Sequence, residues 1–246
     1  MTLPVALRGR LAIPAIAAPV GPIPAPDFVI ETCRGGVLGT LRALDHRTSS
    51  GFEESLSHIQ LKLEPDAAPF AVNLIVHATN PRFADDFAIC VEHRVPVILT
   101  ARGVPTELAK RVRGYGGIVF HEVTSVRQAK AAALTGVDGL VVAPARVDAG
   151  PEAASPFALM PEIRRFFAGT IVMASCIADG QGIAAARMLG ADLASIGTRC
   201  DAAGDGPGAP ARSARELCRR LAAEYEQAVT AFRAAVTDLA RPSMAL

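Results

Sequence analysis

The chain alternates short apolar runs with longer amphipathic segments. The runs are rich in Val, Ile and Ala and show no alternation of period two, as is typical of parallel strands covered on both faces. They predict strands at 11–18, 37–44, 70–76, 95–100, 117–120, 139–143, 170–174 and 191–196. Segments of helical periodicity follow them in strict alternation. With 246 residues, against the roughly 250 typical of the fold, this pattern predicts a single-domain (β/α)₈ barrel rather than an open sheet.

Local signals mark where several of the helices begin. Polar residues suited to capping precede predicted helices, and proline follows two of them. These residues are Asn80, Ser125, Ser155 and Asp179. A Gly-x-Asp triplet occurs at 136–138 and again at 190–192, each time between a predicted helix and the next strand. The repetition indicates a recurring structural unit at the helix-to-strand turn.

The end of the chain differs from the rest in composition. We expect a barrel core over residues 1–200, a Gly- and Pro-rich linker over 201–211, and a helix over 212–246 that completes the barrel. Ser213 and Glu216 have the spacing of a capping box at the start of that helix. The helix is longer than a barrel needs, so its excess length could serve a homodimer interface.

Composition narrows the function classes. The net charge is +1 and the basic residues are scattered, so the sequence shows no basic patch of the kind that binds nucleic acid. No apolar run reaches the roughly 20 residues that span a bilayer. The five cysteines contain no C-x-x-C pair, which favours a reducing, cytoplasmic setting without a disulfide framework. Pro14 and Pro19 interrupt the apolar N-terminus, so we expect no signal peptide. The spacing of His, Asp and Glu residues does not suggest a metal site.

The stretch 169–199 suggests a phosphate site. It has the pattern strand, turn, helix, strand, turn, with Asp179-Gly180 in the first turn and Gly197-Thr198 in the second. In (β/α)₈ barrels the loops after the last two strands commonly hold phosphate through backbone N–H groups and a helix N-terminus. The alternative is that these glycines only turn the chain.

Several longer motifs resemble one family. They are AAPVGP, GGVLGTLRAL, PFAVNLIVHATNPR, YGGIVFHEVTSVRQA and ASCIADG followed by LGADLASIGTR. Together they resemble the nitronate monooxygenases, formerly 2-nitropropane dioxygenases, over most of residues 4–199. The resemblance implies a (β/α)₈ barrel that binds FMN at its C-terminal mouth and oxidises alkyl nitronates with dioxygen.

The resemblance also implies a set of cofactor contacts. Asn73 would meet the flavin, and residues 195–198 would hold its phosphate. Where the family has a methionine and a glycine pair, this chain has Val20 and Ser175-Cys176, whose backbone could still face the phosphate. The expected FMN contacts are Val20, Asn73, Gly150, Ser175, Cys176, Ser195, Ile196, Gly197 and Thr198.

The catalytic loop departs from the family. Its Gly-Gly-His-x-Gly motif, whose histidine is implicated in catalysis, is replaced by Asp148-Ala149-Gly150. Asp148 is either a base for a proton next to a nitro group or a solvated loop residue. His121, at a predicted strand end on the expected catalytic face, is the second candidate, either in the site or one layer behind it. Because the imidazole is missing, we expect ordinary nitronate oxidation to be weak.

Two classes of function follow. The first is an FMN-dependent oxidoreductase with an altered catalytic loop and an altered small-molecule substrate. The second is a flavin-free barrel relative that acts as a binding or partner protein. The phosphate turn favours the first class, and the missing histidine favours the second.

Overall fold

The computed structural model describes residues 3–18, 25–103, 106–143, 155–197 and 212–239. Eight parallel strands close into a barrel in chain order, which confirms the predicted (β/α)₈ fold. The strands are β1 Ala15–Ala17, β2 Leu38–Arg42, β3 Ala71–Ile75, β4 Val97–Ala101, β5 Ile118–Val123, β6 Gly139–Val142, β7 Thr170–Ile177 and β8 Leu193–Ile196.

Helices surround the barrel. They are α1 Ala25–Arg34, α2 Ser49–Lys62, α3 Phe83–Glu92, α4 Thr106–Gly114, α5 Val126–Ala133, α6 Pro156–Phe166, α7 Gly180–Met188 and α8 Arg212–Leu239. Short 3₁₀ turns occupy Val5–Leu7 and Ala43–Asp45. Three predicted caps are confirmed, because the side chains of Ser125, Ser155 and Asp179 each accept a backbone N–H from the first turn that follows.

Strand residues divide between two hydrophobic clusters. One cluster fills the barrel and the other lies between the strands and the helices. The inner cluster contains Leu7, Ile16, Leu38, Ala71, Val97, Leu99, Ile118, Phe120, Val172 and Leu193. The intervening strand residues, such as Val119 and Val123, belong to the outer cluster. Since side chains alternate along a strand, a residue's position relative to these members shows whether it points into the barrel or away from it.

Some element boundaries differ from prediction. β1 begins at Ala15, four residues later than expected, just after Pro14, which has no N–H for a ladder. α3 begins at Phe83, because Asn80 instead holds a turn: its amide donates to Ile75 O at 3.0 Å and its oxygen accepts from Arg82 N–H at 3.2 Å. β5 and β7 each extend three residues beyond the predicted ends.

The two Gly-x-Asp triplets form the same structure. Asp138 N–H donates to Val119 O, and the Asp138 carboxylate accepts from Val119 N–H, both at 2.9 Å. Asp192 makes the same two contacts with Ile171, at 2.7 Å and 2.9 Å. Each aspartate thereby joins the start of one strand to the preceding strand. This confirms the recurring unit read from the sequence.

The last helix runs in the opposite direction to its neighbours. Near its start, Cys218 lies against Gly35, which precedes β2 at the N-terminal end of the barrel. One to two turns later, Tyr225 lies against Gly180, which follows β7 at the C-terminal end. α8 therefore runs parallel to the strands and antiparallel to α1 and α7. The described part of α8 begins at Arg212, and the side chain of Ser213 lies outside the described structure, so the capping box stays a prediction.

The remainder of α8 continues past its contact with α7. Every described side chain from 231 to 238 is exposed, including Phe232 and Val236. At 1.5 Å per residue, the part of the helix after Tyr225 spans roughly 20 Å. The predicted excess length is thus on the side of the barrel mouth.

Candidate functional site

The C-terminal ends of the strands form the barrel mouth. Four polar residues follow inner-cluster residues of their own strands at intervals of two; they are Arg42, Asn73, Glu122 and Ser195. Their side chains therefore point toward the barrel axis at or near these ends. In an α/β barrel this face carries the binding and catalytic groups, so we take it as the candidate site.

Two polar groups on the inner faces of β2 and β3 have unused hydrogen-bonding capacity. Thr40 lies inside the barrel, level with Ala71 at the start of β3, is 1% exposed, and its Oγ1 has no hydrogen-bond partner among the described residues. Asn73 is half-buried, and its side-chain amide makes no hydrogen bond to any described residue. The register pairs Thr40 with Ala71 and Arg42 with Asn73, so the two groups lie one pleat apart on the same inner face. Of the two, only the half-buried Asn73 amide is open toward the mouth and could contact a ligand there.

The edge between β7 and β8 is irregular. Met173 pairs with Ala194 and Ile177 pairs with Ile196, so four steps along β7 correspond to two along β8. The extra β7 residues include Ser175 and Cys176, whose backbone groups leave the regular ladder as in a bulge. Gly197, directly after β8, donates its N–H to no described residue. Within the described residues, Gly197 N–H is therefore available to a ligand at the place predicted to hold a phosphate.

The N-terminus of α7, in contrast, is already occupied. The Asp179 carboxylate accepts Gly182 N–H at 2.8 Å, and the Glu224 carboxylate from α8 accepts Gly180 N–H at 3.0 Å. Two negative charges at this helix end use the donors and the dipole that would attract an anion. Of the two phosphate-binding elements considered from the sequence, the helix end already binds two carboxylates, whereas Gly197 N–H at the strand edge binds no described residue.

His121 lies one layer behind the mouth, which is one of the two positions that the sequence left open. It lies inside β5, with the outward parity of Val119 and Val123, and it is 6% exposed. Its Nδ1 is 2.8 Å from Thr100 Oγ1 on β4. Burial lowers the pKa of its imidazole and thereby favours the neutral ring. The strand continues past His121, and the ring faces the helix layer, so a direct contact of this imidazole with a ligand in the mouth is not supported.

The remaining predicted contacts are only partly described. Ser195 points toward the mouth, whereas the Ile196 side chain belongs to the outer cluster, so only its backbone could contact a ligand. The side chains of Ser175 and Cys176 lie outside the described part of the structure. So do the residues Val20, Asp148, Gly150 and Thr198.

Glu122 was not considered as a site residue from the sequence, yet it points into the mouth. It pairs with Val141 of β6 and follows the inner-cluster residues Ile118 and Phe120 at intervals of two. Counting in twos from Phe120 would have found it, but the predicted strand ended at 120. Arg102, just after β4, acts electrostatically on the Glu122 carboxyl. The mouth thus contains a carboxyl group and a nearby guanidinium.

The described parts of the chain contain no helix both long and apolar enough to cross a membrane. No protein-family model matches the sequence.

Two curated proteins are similar to this chain, and both are named (3aS,4S,5R,7aS)-5-hydroxy-7a-methyl-1-oxo-octahydro-1H-indene-4-carboxyl-CoA dehydrogenase. The one from Rhodococcus jostii is 24% identical over 186 residues, covering 76% of this chain and 51% of that protein. The one from Mycobacterium tuberculosis is 25% identical over 189 residues, covering 76% and 52%. The chain spans about half the length of these relatives.

Several solved structures share the fold, among them two that are named as oxidases. Nitroalkane oxidase from Streptomyces ansochromogenes superposes with a TM-score of 0.70 at 21% identity, over 78% of this chain and 67% of that one. FabK from Thermotoga maritima gives 0.67 at 24%, over 79% and 60%. A mandelate oxidase containing an FMN adduct gives 0.66 at 20%, over 89% and 75%. At these identities the likeness establishes the barrel fold.

Proposed function

We propose that this chain is an FMN-dependent oxidoreductase that acts on a small organic molecule in the barrel mouth. The observation that carries the proposal is the β7–β8 edge, where the β7 irregularity and the N–H of Gly197, which bonds to no described residue, coincide with the predicted phosphate turn. The resemblance to nitronate monooxygenases and the names of the structural neighbours support the same class.

The residues of the mouth fit a flavin. Backbone donors at Gly197, together with those of Ser175 and Cys176, would hold the phosphate without any charged side chain. Asn73, on the inner face of β3, offers a half-buried side-chain amide. An amide suits the polar edge of an isoalloxazine, which presents both donors and acceptors.

When bound, FMN would accept the two electrons that the substrate loses. The protein would bind and orient the substrate over the inner hydrophobic cluster, which excludes water from beneath it. Nitronates are one candidate substrate class. The curated relatives are named for a CoA thioester, so acyl-CoA esters are the second class to test.

FMN binding can be tested without a substrate. We expect the purified chain, titrated with FMN, to quench flavin fluorescence and to shift its visible absorption. Gly197→Val should weaken FMN binding by roughly tenfold to a hundredfold. The new side chain would keep the phosphate away from the backbone N–H of residue 197, and a hydrogen bond from that N–H to a charged phosphate would be lost. Gly114→Val is the control, since a Cβ at that glycine meets nothing within 4 Å. Equal FMN affinity in wild type and Gly197→Val would contradict the phosphate placement.

A flavin-free binding protein is the second candidate. It is favoured by the two carboxylates that occupy the α7 N-terminus, where they compete with any anion. A chain that neither retains nor takes up FMN at millimolar concentration would support this candidate and reject the first.

A further inference from the structure

Glu122 lies in a position that suits direct contact with a molecule in the mouth. It is the last inward-pointing residue of β5, one pleat beyond Phe120, which is fully buried in the barrel. Its regular pairing with Val141 leaves no bulge that would turn it outward. Glu122 is exposed, so the side chain reaches solvent at the mouth rather than being enclosed in the barrel wall.

Arg102 is held beside this site by an unusual backbone conformation. It has φ +62°, in the left-handed region, and Gly103 after it has φ +67°. A non-glycine residue in this region costs about 1–2 kcal/mol. Gly103 cannot be replaced without a shift, because its Cβ would lie 2.1 Å from Val76 O. The contact between these two loops therefore fixes a strained arginine at the mouth, and such strain is often found at functional sites.

The electrostatics of the pair suit proton transfer. Loss of solvation by the surrounding protein raises the pKa of the Glu122 carboxyl, and Arg102 lowers it in part. The carboxyl reaches water, yet enough protein surrounds it to make the carboxylate more basic than one on an open surface. A more basic carboxylate is a better proton acceptor.

We propose that Glu122 is a catalytic base that takes a proton from a carbon acid, and that Arg102 binds the anion that forms. This inference rests on the proposed function and narrows its substrate to molecules with a C–H bond next to a nitro or thioester carbonyl group. The C–H bond breaks and its proton bonds to a Glu122 Oε. The electron pair stays on the substrate, where the negative charge moves to the nitro or carbonyl oxygen. No oxidant or reductant takes part in this step.

The step can be measured as exchange of the substrate's α-hydrogen for deuterium. The full-length chain, with and without added FMN, is incubated in D₂O with 1-nitropropane or propionyl-CoA, and the α-proton signal is followed by ¹H NMR. We expect catalysed exchange of at least one probe. Glu122→Gln should slow it at least about 100-fold, the lower range for general bases, while Glu122→Asp retains part of it. Glu54→Gln, an exposed residue of α2, is the matched control.

Each outcome decides the proposal. Exchange at the wild-type rate in a folded Glu122→Gln protein, or no exchange above buffer with either probe, overturns it. Arg102→Gln should slow exchange without removing the base, and an unchanged rate would overturn the role of Arg102. Because exchange needs no electron acceptor, failure of FMN to bind would reject the proposed function and leave this result intact.

Discussion

Gly180, the first residue of α7, donates its backbone N–H to Glu224 Oε2 on α8 at 3.0 Å. At the same point the two backbones come so close that a Cβ on Gly180 would lie 2.2 Å from Tyr225 N. This contact fixes α8 against the C-terminal end of the barrel. It also places a carboxylate at the helix end that the sequence alone would offer to a phosphate.

The first prediction concerns the space at this contact. Gly180→Ala should destabilise the protein by about 1–3 kcal/mol, because the added methyl meets backbone that cannot rotate away. Gly114→Ala makes the same change at an exposed helix end where nothing lies within 4 Å, and should be neutral or stabilise by up to about 1 kcal/mol. Urea unfolding of both variants gives the comparison. Equal midpoints would show that α8 does not dock as described.

The second prediction concerns the charge at this contact. Glu224→Gln should cost about 0.3–1 kcal/mol, because a negative side chain near a helix N-terminus is stabilising. FMN affinity should not change, since the phosphate is proposed at the β7–β8 edge. Glu226→Gln, on the exposed face of α8, controls for the loss of one negative charge. If Glu224→Gln binds FMN more tightly, the phosphate instead uses the α7 N-terminus.

The fold could be predicted because its signals are local. Uninterrupted apolar runs such as 70–76 give parallel strands, and Ser125 and Asp179 mark helix starts within a few residues. The direction of α8 could not be predicted. It depends on contacts of Cys218 with Gly35 and of Tyr225 with Gly180, which are distant in sequence.

The site was less predictable because neighbouring strand residues point in opposite directions. Ending β5 at Phe120 left both His121 and Glu122 as loop residues, and histidine drew attention as the more common acid–base group. Because β5 continues to Val123, side chains alternate through this stretch, so His121 points away from the barrel and Glu122 points into it. The position of the strand end therefore decides which of the two residues faces the mouth. Asp148 stays a prediction, since it lies outside the described residues.

The third prediction compares the two Gly-x-Asp units. Asp192 is fully buried and also pairs with Arg164 at 2.6 Å, whereas Asp138 is only half-buried. Asp192→Asn leaves a guanidinium without its buried counter-charge and should cost about 3 kcal/mol. Asp138→Asn keeps an acceptor for Val119 N–H and should cost about 1 kcal/mol. Thermal and urea unfolding of the two variants test this order. Similar losses would mean that the Arg164 pair contributes little.

The last prediction uses the outward histidine as a reporter of its surroundings. Burial lowers the pKa of His121 in the folded protein below its ordinary value of 6.5. As the pH falls through 6.5, the unfolded chain binds a proton at this residue while the folded chain stays neutral. The unfolded state is then favoured, and stability falls with decreasing pH by up to about 1.4 kcal/mol per pH unit from this one group.

His121→Asn removes this contribution while leaving an oxygen that can accept from Thr100. As the pH decreases from 7 toward 5, the wild type should therefore lose stability relative to His121→Asn. Denaturant midpoints measured across this range provide the test. Parallel curves for wild type and His121→Asn would show that the imidazole is solvated in the folded protein. That result would reopen the mouth as its location and weaken the assignment of Glu122, because both rest on the same alternation along β5.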